Sequence, residues 1–126
     1  MYALKSLINS TLLAGSLLLV PCAVIAGEAD VVKAVAKEQG NGSWRFDVTI
    51  RSNDKGWDYY CDRFEIVGPD GAVLGTRILV HPHETEQPFT RSLGSVAIPD
   101  SVSTVTVRAS MKPDGAGGET VEVSLR

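Results

Sequence analysis

From Val31 to the C-terminus the chain alternates apolar and polar residues with a period of two, the repeat of a strand that has one buried and one wet face. The clearest run sets Trp44, Phe46, Val48 and Ile50 against Arg45, Asp47, Thr49 and Arg51. Val105, Val107 and Ala109 alternate with Thr104, Thr106 and Arg108, and Val121, Val123 and Leu125 with Thr120, Glu122 and Ser124. Lys112 to Gly118, rich in glycine and carrying Pro113 and Asp114, turns the first of these two runs into the second. Val32, Ala34 and Ala36 predict an opening strand, and Gly40-Asn41-Gly42 supplies residues that accept positive φ in a tight hairpin. Phe64 to Val67 leads into the turn Gly68-Pro69-Asp70-Gly71, and Val73 to Val80 returns. A short strand over Phe89 to Leu93, then Val96-Ala97-Ile98, ends at Pro99-Asp100. About seven strands separated by turn signals, with no helical periodicity, predict an all-β antiparallel sandwich, with an eight-stranded barrel as the alternative.

The first 26 residues follow a different pattern, that of a secretory leader. Lys5 is the early cation, Leu12 to Val20 the apolar centre, and Val24-Ile25-Ala26 the expected cleavage site, which makes Gly27 the new N-terminus. Residues 27–126 would then form a single domain. The apolar run is short for a span of about 20 residues and is interrupted by Pro21, so no membrane span is expected in the mature form. Leu19-Val20-Pro21-Cys22 offers a second possibility, lipid attachment at Cys22, with proline where a small flexible residue is usual. Either route places the protein outside the cytoplasm, periplasmic or secreted.

Composition narrows the function classes. The chain has 126 residues with formal net charge -3, and loss of the leader with Lys5 leaves about 100 residues that are more acidic by one charge. No basic footprint for nucleic acid is present. A domain of this size buries about two thirds of its extended surface, enough for one modest core without a deep catalytic cavity. Cys22 leaves with a cleaved leader, so Cys61 has no internal disulfide partner.

The spread of strands from Val31 to Leu125 resembles the immunoglobulin or fibronectin type III class of β-sandwich over nearly the whole mature chain. The usual cysteine pair is missing, and no tyrosine stands near Val105 or Val107 to form the usual corner. The stretches Gly56-Trp57-Asp58-Tyr59-Tyr60 and His81 to Arg91 are similar to those of small exported bacterial proteins without an assigned activity. The resemblance implies an immunoglobulin-like fold in the cell envelope and no particular chemistry, because one sandwich hosts many functions.

Two segments carry candidate sites. In His81-Pro82-His83 the proline favours an extended backbone and brings two imidazoles to the same side of the chain, where Glu84 or Glu86 would complete a nitrogen and oxygen set for copper or zinc. The competing expectation is a polar loop between strands. The second segment runs from Gly56 to Phe64. Trp57, Tyr59 and Cys61 share one parity and Phe64 and Ile66 the other, so burying both sets on one face requires a bulge near Asp62 and Arg63. With that bulge Trp57 is expected in the core; without it Trp57, Tyr59 and Tyr60, with Arg91, make an exposed binding surface. Cys61 is read as a buried small hydrophobe, as the link of a disulfide dimer, or as a reactive or metal-bound thiolate.

No nucleophile elbow and no phosphate-binding loop occur, so catalysis is not expected. The sequence points to an exported binding module for a protein or small ligand of the envelope, with a copper or zinc carrier centred on His81 and His83 as the alternative.

Overall fold

The computed structural model describes residues 29–126; the leader, its cleavage after Ala26 and the attachment at Cys22 lie outside the described residues. Among the described residues there are eight strands and no helix. They are β1 (Ala29–Gly40), β2 (Ser43–Ser52), β3 (Tyr60–Val67), β4 (Val73–Ile78), β5 (Phe89–Ala97), β6 (Thr104–Lys112), β7 (Gly115–Ala116) and β8 (Val121–Ser124). One sheet has the order β1-β2-β5, and the other has the order β4-β3-β6 with β7 and β8 both paired to β6. Every pairing is antiparallel. The all-β sandwich expected from the alternation is therefore present.

The core lies between the sheets. Phe46, Val48 and Ile50 of β2 and Phe89 of β5 face Phe64, Ile66, Val105, Val107 and Met111 of the other sheet, all of them buried. Burial of these side chains is the main stabilising force, at about 1.5–3 kcal/mol each. Hairpin residues Gly40, Asn41 and Gly42 all have positive φ, as expected from their sequence.

Three details depart from plain alternation. In β1 the register shifts between Val31 and Lys33, so Val31 is buried while Val32 faces out and Ala34 and Ala36 return inward. The Phe89 and Val96 segments form one strand, because a shift opposite Trp44 and Phe46, with Ser95 at positive φ, absorbs the break in parity. The last strand divides in two: β7 pairs with Ser110 and Met111, β8 with Thr104 to Val107, and residues 117–120 leave the sheet between them. That excursion reaches the other sheet, where Glu119 O accepts from Val31 N at 2.9 Å and Asp30 Oδ1 accepts from Glu119 N at 2.8 Å. Gly118 lies so close to the Ala29 carbonyl that a Cβ would overlap it.

The strand directions sort the loops into two poles. Ala29, the 53–59 turn, the 79–88 loop and the 113–114 turn occupy one pole. The β1–β2 hairpin, the 68–72 turn, the 98–103 segment and the C-terminus occupy the other.

Candidate functional site

Both sequence candidates fall on the Ala29 pole, joined by a residue that sequence patterning did not single out. Asp54 follows the end of β2, and its side chain has 0% exposure. Its Oδ1 accepts from Ser52 Oγ at 2.7 Å and from Cys61 N at 3.0 Å, and its Oδ2 accepts from His83 N at 2.8 Å. One carboxylate thus ties the end of β2, the start of β3 and the β4–β5 loop together. Gln87 completes the knot: its Oε1 accepts from Ser52 N at 2.9 Å and its Nε2 donates to His83 O at 2.8 Å. A buried carboxylate persists only when its oxygens are satisfied, and here backbone donors do much of that. In sequence, Asp54 looks no different from Asp58 or Asp62.

The histidines take unequal positions. His83 is 3% exposed and stacks on Phe89 with ring centroids 4.0 Å apart and planes 8° apart. Neither ring nitrogen has a hydrogen-bond partner; Nδ1 lies 3.9 Å from Asp54 Oδ2, beyond hydrogen-bond range. Burial lowers the His83 pKa below the usual histidine value, Arg91 and His81 push the same way, and Asp54 and Glu86 oppose them. His81 is exposed, 4.7 Å from His83 by ring centroid, with Nδ1 2.9 Å from Pro82 O. The proximity expected from His-Pro-His is present. Glu84 is exposed, and Glu86 accepts from Arg91 Nη2 at 3.0 Å. Among the described residues no three His, Cys, Asp or Glu side chains come together in a metal-holding group.

Trp57 corrects one expectation. It is 61% exposed rather than packed in the core. The physical reason is that the chain from Ser52 does not run extended into β3. It closes a turn in which Lys55 N donates to Tyr59 O and Tyr59 N donates to Gly56 O, with Gly56 at φ 112°. The strand starts only at Tyr60, so Tyr60 and Cys61 occupy the buried positions, and the expected bulge does occur, between Cys61 and Arg63. Trp57 packs edge-on against Tyr60 at 5.8 Å, Lys112 lies over Tyr60 and Lys55 over the half-buried Tyr59. Arg91 pairs with Glu86 and lies over Phe89. Of the residues expected to share one binding surface, Trp57 and Tyr60 touch each other, and Arg91 engages Glu86 and Phe89.

Cys61 is fully buried, which matches the small-hydrophobe reading. Burial pushes its pKa up to about 12, with Asp54 adding to the rise, so the nucleophilic thiolate is scarce at neutral pH. At the other pole, Glu38, Asn41, Ala97, Ile98 and Pro99 line an open groove. No helix among the described residues is long and apolar enough to cross a membrane.

Comparison with known proteins adds one relative. The chain is 35% identical over 96 residues to a Halomicrobium mukohataei protein named "Putative lipoprotein", a match covering 76% of this chain and 47% of the relative. The chain thus spans about half the length of the curated relative it matches. No family model matches the chain, and no solved structure matches it.

Proposed function

We propose that this protein is an exported module held at the cell envelope by a lipid on Cys22, and that it acts by contact and not by catalysis. The observation that carries the contact reading is Trp57: a large amphipathic ring held out in solvent by a hydrogen-bonded turn whose base is pinned by the buried Asp54. The name of the relative supports export and, of the two fates considered for the leader, supports attachment at Cys22 over cleavage after Ala26. The order β1-β2-β5 facing β4-β3-β6-β7 supports the immunoglobulin or fibronectin type III likeness. A non-catalytic role is supported by the inert environment of Cys61 and the stacked, buried ring of His83.

Fractionation of cells expressing the full chain, followed by intact mass measurement, tests this reading. The expected result is recovery with membranes and an acyl mass on Cys22. An unmodified chain beginning at Gly27 in the soluble fraction overturns the attachment.

The 4.7 Å separation of the His81 and His83 rings supports a second reading, a copper or zinc site. Loading it requires His83 to leave its stack on Phe89, because both of its nitrogens are buried. Replacement of both histidines by alanine abolishes tight copper or zinc uptake under this reading and leaves partner binding mostly intact under the first.

A further inference from the structure

We propose that the pole bearing Trp57 is a membrane-contacting end, whose exposed apolar side chains sit in the headgroup layer of the bilayer to which the chain is tethered. The inference rests on the lipid attachment proposed above and adds the orientation of the domain and the identity of what it touches.

The most exposed large apolar side chains gather at this pole. Trp57 is 61%, Ile78 59% and Val80 71% exposed. Ile78 pairs with Arg63, and Leu79 N donates to Asp62 O, so residues 78–80 run beside the start of β3. Leu79 is buried, which turns its two neighbours outward. Trp57 packs against Tyr60 in that same start of β3, with Lys55 and Lys112 on the neighbouring rings. Amphipathic aromatic rings beside lysines are the side chains that favour the membrane–water interface. Exposed Asp58, Glu84 and Asp114 occupy the same pole, so contact through ring and aliphatic insertion, and not attraction to anionic lipid, is the mode these residues allow.

The tether selects this end. Ala29 emerges at the same pole, seven residues after Cys22, a length that spans at most about 25 Å when fully extended. The ten-residue β2 makes the sandwich about 33 Å long between poles. If the opposite pole faced the lipid, Ala29 would stand farther from the surface than the tether reaches. The groove around Asn41 and Pro99 and the C-terminus are then directed away from the membrane.

The test uses the full chain, purified from membranes with its acyl group and reconstituted in phosphatidylcholine vesicles carrying a lipid with a quencher near the headgroup. Trp44 is buried, so Trp57 is the emitter that such a lipid reaches. The expected result is loss of most Trp57 emission, its absence as a quenchable component in Trp57→Phe, and recovery of emission in an Ile78→Glu/Val80→Glu variant that remains anchored. An acylated chain whose Trp57 is quenched by acrylamide in water but not by the lipid overturns this inference alone. A chain without an acyl group overturns the attachment and the orientation together. Unchanged urea midpoints for the variants, whose altered side chains are exposed, exclude misfolding as the cause of any loss.

Discussion

Asp54→Ala is expected to loosen the whole Ala29 pole. The substitution removes the acceptor of two backbone N–H groups, Cys61 at 3.0 Å and His83 at 2.8 Å, and of the Ser52 hydroxyl at 2.7 Å. A donor stranded away from water costs about 1–3 kcal/mol, so two backbone groups set the loss at about 2–6 kcal/mol. Release from burying a carboxylate offsets part of this, which leaves about 3 kcal/mol against a total of about 5–15 kcal/mol for a domain. Asp54→Asn keeps one acceptor oxygen and turns an amide toward the remaining N–H. Only one backbone donor is stranded, and the cost falls to about 1–3 kcal/mol. Urea unfolding followed through the buried Trp44 reads both variants. With a slope of about 1–3 kcal/mol per M, the alanine midpoint drops by about 1–3 M and the asparagine midpoint by roughly half as much. Equal midpoints for Asp54→Ala and the parent chain would show that this carboxylate does not hold the pole together.

Three further outcomes follow from the same geometry. The folded pKa of His83 lies below its unfolded value near 6.5, so His83 adds no pH dependence while both states are neutral. Stability falls as pH drops below the unfolded value and the unfolded chain takes up the proton first. His83→Phe, which keeps the stack on Phe89, should remove this part of the pH dependence; identical pH profiles for the two proteins would refute the assignment. Cys61 should resist a thiol reagent at neutral pH in the native protein and react fully in urea, since its pKa is pushed up to about 12; rapid native labelling would contradict its burial. A Cβ at Gly75 would come within 3.1–3.2 Å of Leu93 and Val96, and overpacking of this kind costs about 1–3 kcal/mol. Gly75→Ala should therefore lower the urea midpoint, and no change would show that β4 and β5 separate freely there.

The period-two pattern alone placed most of the strands and most of the core and limited the fold to a sandwich or a closed barrel, because alternation reports which face of a strand is apolar; the separation into two sheets came from the tertiary structure. It also tied burial of Cys61 and Phe64 on one face to a bulge near Asp62, and the structure has that bulge. What alternation does not contain is where a strand begins. The parity of Trp57 matches that of Cys61, yet the hydrogen bonds closing the turn from Lys55 to Tyr59 put the ring outside. Likewise, the proximity of His81 and His83 was legible from two residues around a proline, whereas the burial of one and the exposure of the other depend on the 79–88 loop folding back onto Phe89 at the start of β5. Asp54 is the extreme case: three acidic residues lie between Ser52 and Arg63, and only the meeting of three separate segments at one carboxylate gives Asp54 a different role from its neighbours. Local patterning is written in side-chain order, but a site assembled from distant segments is decided by tertiary packing.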